Sequence, residues 1–160
     1  MKLSNWMKAA SLLVAVGLGL AACTTVKPVQ SFDASLTLSA PTTVVRAGES
    51  FLLTASLTYQ DDAGQTQPLA HQSVDILGVE FDLQETLMTD GNGNITLELV
   101  APLLPEREME RDAWVRVHFD GAVIEFSDRI GRFGDASNSR YFNIQQSASG
   151  LNNPGIPGAE

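Results

Sequence analysis

His71, Ser73 and Asp75 are side chains of the kind that carry hydrolytic chemistry, and they recur at every second position. On a strand this spacing sets them on one face, about 6.5–7 Å from one to the next. A nucleophile and its base need a contact near ~3 Å, so the trio reads as a polar strand face. The chain has no Gly-x-Ser-x-Gly elbow to expose a nucleophile. His118 alternates with Arg116 and Trp114 and reads as a surface residue. Asp90, Asn92 and Asn94 have the D-x-N-x-N spacing with which oxygen ligands open a calcium loop. The twelfth position of such a loop is Ala101, which supplies no bidentate carboxylate. Asp-Gly and Asn-Gly pairs are also what a hairpin needs where φ is positive. Calcium ligation and a plain turn both stay open here, and the turn is the simpler reading.

Two further groups suit contact with a partner and not catalysis. The run Pro105–Asp112 mixes charges at i,i+3 spacing, as in Glu108 and Arg111, which is usual for a solvated loop or a single helical turn. Its neighbours Leu103 and Leu104, with Met109 and Trp114, form a candidate apolar edge for a protein partner. Arg129, Arg132 and Arg140, with Phe133 and Tyr141, fall in a segment read as a long loop, Ser127–Tyr141. They form a candidate anion or polymer contact. Nothing among these residues calls for a cofactor, and the expectation is a protein that is not an enzyme.

Composition narrows the classes. The 160 residues hold 10 Lys+Arg against 19 Asp+Glu, a formal charge of −9 and a pI near 4.5. No cluster of basic residues is available to neutralise phosphates, so nucleic acid is not an expected partner. With 44% apolar and 18% charged residues the chain can build a core of one ordinary domain. One cysteine excludes a disulfide framework and a Cys-rich zinc site.

That cysteine has a distinctive position. Lys2 and Lys8 stand in an N-terminal segment without acids, and the apolar stretch Ala9–Ala22 follows. This is the pattern of a secretory signal, too short for a spanning helix of ~18 or more apolar residues. The stretch ends in Leu20-Ala21-Ala22-Cys23, which resembles the lipobox of bacterial lipoproteins. The resemblance implies cleavage before Cys23, a diacylglyceryl thioether on its sulfur and a fatty acyl chain on its amine. It also implies a cell-envelope location, with Thr24 in place of Asp pointing to the outer membrane. Which face of that membrane is left open. Residues 23–160 hold 8 basic and 19 acidic side chains, a formal charge of −11, so lipid and not surface charge would do the anchoring. The tether Thr24–Ser31 reaches at most ~28 Å when extended.

The elements that position these residues are strands. Period-two alternation marks Ala34–Ala40, Phe51–Tyr59, Ile95–Ala101, Ala113–Phe119 and Ala122–Phe126. Turn residues separate them at Arg46–Glu49, Asp61–Gly64 and Asp90–Gly93. The apolar phase flips at Gly78, as at a bulge or a strand break. A last strand is read at Tyr141–Gln145, and Gln146–Glu160 reads as an unstructured tail. The expectation is an all-β fold: a single antiparallel sandwich of about seven to nine strands.

Ala47-Gly48-Glu49, the Phe51–Tyr59 strand, Pro68, Val74 and Thr89–Leu97 resemble the bacterial immunoglobulin-like domains of invasin and intimin type. The likeness covers roughly Ser39–Ala101. It implies a spacer or adhesion unit without catalysis. The chain differs from that family by carrying one module, by the insert Pro102–Asp112 and by the residues after Phe126. The expected organisation is a cleaved signal peptide at 1–22, a lipidated cysteine and tether at 23–31, an immunoglobulin-like sandwich at 32–145 and a tail at 146–160. The expected role is a lipid-anchored binding or scaffolding domain. Alternatives are an accessory lipoprotein of an envelope or secretion assembly and a calcium-stabilised adhesion module.

Overall fold

A computed structural model describes residues 26–147. The signal segment 1–22, Cys23 and the tail from residue 148 lie outside the described residues. In chain order the strands are β1 (Val29–Phe32), β2 (Ala34–Ser39), β3 (Val44–Arg46), β4 (Ser50–Gln60), β5 (Thr66–Pro68) and β6 (Ser73–Gly78). There follow β7 (Leu83–Met88), β8 (Asn94–Val100), β9 (Glu110–Phe119), β10 (Ala122–Glu125), β11 (Ile130–Phe133) and β12 (Ala136–Gln145). The alternating segments thus fold as an all-β sandwich. One layer has the order β3-β12-β9-β6-β7, and the other is built on β4, which pairs β2 on one side and β5 and β8 on the other. A third, smaller sheet has the order β1-β11-β10.

The core follows from the alternation. Phe51, Leu53, Ala55 and Leu57 of β4 point inward, opposite Ala113, Val115, Val117 and Phe119 of β9 and Phe142 and Ile144 of β12. Removing this apolar area from water is the main stabilising effect. Aromatic rings close both ends. Phe51, Phe81 and Phe142 meet with centroids 5.0–5.9 Å apart, and Phe32, Tyr59 and Phe133 meet at 5.0–5.3 Å. Phe51 and Tyr59 lie on the same strand, which sets the two clusters roughly 26 Å apart at ~3.3 Å per residue.

Three boundaries differ from the sequence reading. First, part of the tether is a strand: β1 pairs in parallel with β11, from Val29 opposite Ile130 to Phe32 opposite Phe133. The folded body therefore begins before residue 32. Second, the segment read as the loop Ser127–Tyr141 is mostly strand, as β11 and the first half of β12. Ala136–Arg140 pairs with Val115–Phe119 through backbone bonds, while Ser137, Asn138 and Ser139 hide the alternation that would have marked it. Third, the strand count is twelve among the described residues, because these pieces and the short β3 and β5 join the expected set. β3 also pairs in parallel with β12, so β1–β11 and β3–β12 are exceptions to an otherwise antiparallel fold. The phase flip at Gly78 is a strand break: β6 ends there and a 3₁₀ turn, Val79–Phe81, leads into β7.

Candidate functional site

Arg129 precedes β11, and the strand pairing brings it against residues distant in sequence. Its Nη1 donates to Gln30 Oε1 at 3.0 Å and to Asp62 Oδ2 at 2.8 Å, and Gln30 Nε2 donates to Asp62 in turn. The guanidinium lies 5.5 Å from the centre of the Phe32 ring and 5.8 Å from that of Phe126. A planar cation with aromatic faces and a carboxylate around it is a structural clamp. It ties β1, the Asp61 turn and β11 together. Lys27 does the same one strand away: its Nζ donates to Glu125 Oε1 and to the Phe126 carbonyl, each at 2.7 Å. That ammonium holds the Glu125 carboxyl below the usual carboxylate range.

The arginine cluster expected from sequence is therefore dispersed. Arg129 is committed to the clamp, and Arg140 lies on β12 and leans toward the Ala40 carbonyl at 3.5 Å. Arg132 alone of the three is exposed, on the outer face of β11. Phe133 is not a contact residue: it is 3% exposed and stacks on Phe32, with centroids 5.2 Å apart. β11 is a strand and not a loop, and a strand puts Arg132 and Phe133 on opposite faces.

The insert also divides. Leu104 is buried in the core, whereas Leu103, at 79% exposure, and Met109 stay outside. Leu103 lies over Gly48, where an added Cβ would stand 3.2 Å from its Cδ2. The expected Glu108–Arg111 pair forms, with Arg111 Nε donating to Glu108 Oε1 at 2.8 Å. The guanidinium lowers the Glu108 pKa, and the carboxylate raises that of Arg111. Trp114 sits half-buried on the outer face of β9, directly opposite the exposed Tyr141 of β12. Sequence reasoning assigned these two to different segments, and only the β9–β12 register joins them.

His71 stands outside β6, with φ at +56°, while Ser73 and Asp75 point outward from it. Asp75 Oδ1 accepts from Thr86 Oγ1 at 2.6 Å, and His118 Nε2 pairs with Asp120 Oδ1 at 2.7 Å. The five residues His71, Ser73, Asp75, His118 and Asp120 share a shallow cleft of about 350 Å³. Each carboxylate in it is engaged by a residue other than Ser73. No group of three or more His, Cys, Asp or Glu among the described residues is arranged to hold a metal ion. A second cleft, of about 500 Å³, runs between β2 and the end of β4 and is lined by Asp33, Asp61, Asp62 and Tyr59. Its acids come from two connections separate in sequence, so no local pattern marks it.

At the Asp90 turn, Oδ1 accepts the backbone N–H groups of Asn92 and Asn94, each at 2.8 Å. The oxygen that would lead a calcium loop is thus aimed at its own backbone. Comparisons with the models of known protein families and with curated proteins find no match for this chain.

Proposed function

We propose that this protein is a bacterial envelope lipoprotein, held to the membrane by lipid on Cys23, that presents one immunoglobulin-like sandwich as a non-catalytic binding or scaffolding domain. The observation that carries this reading is the single cysteine at the end of Leu20-Ala21-Ala22-Cys23, behind a basic and then an apolar segment. An all-β sandwich body fits a presented module, and its polar constellations support structure: Arg129 and Lys27 clamp, and Asp90 closes a turn. The proposed location is the outer membrane. Mass spectrometry of the N-terminal peptide from the native host tests the anchor. The expected species begins at Cys23 and carries a diacylglyceryl thioether and an N-acyl chain. A peptide that retains residues 1–22, or an unmodified Cys23, would refute it. Cys23→Ser should leave an uncleaved precursor or a soluble protein, and unchanged detergent partitioning would contradict the anchor.

A second reading, an accessory role in an envelope assembly, is favoured by the exposed Leu103 and Met109 within Pro102–Trp114. Leu103→Glu with Met109→Glu should abolish a crosslinked complex while leaving the melting temperature near that of the parent. An unchanged complex would remove this edge from consideration. The calcium-stabilised adhesion reading has less support, since Asp90 Oδ1 already serves two amides.

A further inference from the structure

We propose that the outer face of the β1-β11-β10 sheet is seated on the lipid surface that holds the Cys23 anchor; this rests on the anchor reading above. The first argument is chain length. Lys27 is fixed to Glu125 and Phe126 by two contacts of 2.7 Å, and the Pro28 carbonyl accepts from Ile130 N at 2.9 Å. Only residues 24–26 separate that fixed point from Cys23. Four steps of 3.3–3.6 Å allow at most ~14 Å between the two Cα atoms. That is half the ~28 Å reach of a tether running free to Ser31. A domain this closely held turns the start of β1 toward the membrane.

The second argument is the surface that this brings down. Alternation sends Phe32, Gly131 and Phe133 into the core and leaves Val29, Ser31, Ile130, Arg132, Val123 and Glu125 on the outside. Val29 is 61% exposed, Val123 is 68% exposed, and Val26 in the approach is exposed as well. The third argument is charge. The chain after Cys23 is strongly acidic, but at this end the acids have cations beside them: Glu125 with Lys27, Asp62 with Arg129, and Asp128 at 4.0 Å from Arg129. Asp33 and Asp135 follow the far ends of β1 and β11. Arg132 is left exposed on the face. A balanced patch with one available cation and protruding valines suits a bilayer containing anionic lipid, which would repel the rest of the body.

The test uses the mature lipidated chain reconstituted in vesicles of phosphatidylethanolamine and phosphatidylglycerol that contain a spin-labelled phospholipid. The Cys23 sulfur is blocked by its thioether, so a fluorophore can be placed at Val123→Cys or, as a control, at the exposed edge position Met88→Cys. The expected result is at least twofold stronger quenching at 123 than at 88. Adding Arg132→Glu should bring the two closer in these vesicles and have less effect in zwitterionic ones. Protein that floats with the vesicles but is quenched equally at both positions overturns the seating and leaves the anchor intact. Protein that does not float, with Cys23 unmodified by mass, overturns the anchor and the seating together.

Discussion

The turns Asp61–Gln65 and Asp90–Asn94 are built on one plan. In each, the aspartate N–H donates to the carbonyl four residues on, the residue three on donates back to the aspartate carbonyl, and Oδ1 accepts two further amides. Each has glycine at its fourth position, with φ at +73° in Gly64 and +75° in Gly93. Only the second has the D-x-N-x-N spacing. Since Asp61 does the same work without it, the spacing at Asp90 is accounted for by the turn itself, which here carries the chain from β7 in one sheet to β8 in the other. What separates the turns is their surroundings. Gly64 is in open space, whereas a Cβ on Gly93 would stand 2.5 Å from Leu57 O and 3.1 Å from Leu69 N. Beside it, the buried Thr89 donates to Leu69 O at 2.9 Å and accepts from Gln72 N at 3.0 Å. One turn is a surface reversal, and the other is a joint of the core.

The contrast is broken most sharply at Gly93. Gly93→Ala adds a left-handed strain of ~1 kcal/mol to an overpacking cost of 1–3 kcal/mol. Urea unfolding should show a loss of about 3 kcal/mol; a loss no larger than at Gly64 would show that the joint can yield. Asp90→Ala comes next, with two amides losing their acceptor, for about 1–2 kcal/mol by the same measurement. Asp90→Asn keeps an acceptor oxygen and should recover most of that. Calcium and its chelator should each leave the melting temperature unchanged, because the leading oxygen is already used. A chelator-induced fall that Asp90→Ala abolishes would restore the ligand reading.

How legible the molecule is in its sequence follows the same division. The strands of the core could be read at Phe51–Tyr59 and Ala113–Phe119, because one face is buried and the other wet, which imposes period two. β11 and the first half of β12 could not: Ile130–Phe133 is four residues long, and Ser and Asn carry no apolar signal. The candidate contacts were half legible for the same reason. Leu103, Met109 and Arg132 are exposed, whereas Leu104 and Phe133 turn inward, and no local pattern separates the two sets. The Lys27–Glu125 and Arg129–Asp62 contacts join residues 98 and 67 positions apart, and no local pattern announces such pairs.

Acid sharpens the comparison from the other side. The Asp61 carboxyl lies below its ordinary value of 3.8, chiefly through the backbone N–H of Gln65, then the Gln67 side chain. Burial opposes this, and Ala63 N–H and the Arg129 charge assist it. A lowered folded-state pKa contributes stability that is present above the unfolded value of ~3.9 and lost as pH falls through the folded one. Asp61→Asn keeps the oxygen acceptor but removes the charge. The variant should therefore be less stable than the parent at pH 7, with the gap narrowing below about pH 4. A gap independent of pH would mean that hydrogen-bond geometry, and not the charge, is what Asp61 contributes.

The smallest effect belongs to Gly64→Ala, and it is the one that calibrates the rest. Nothing lies within 4 Å of the added Cβ, so only the left-handed backbone is penalised, at ~1 kcal/mol. Gly93 has the same φ to within 2°. The backbone term is then common to both alanine variants and cancels in their difference. What remains is the cost of pressing a methyl group between Leu57 and Leu69, about 1–3 kcal/mol for a well-packed site. Chemical unfolding of both variants in one buffer measures it directly. Equal losses would mean that Leu57 and Leu69 move aside without cost, and the Asp90 turn would then be no more a part of the core than its counterpart at Asp61.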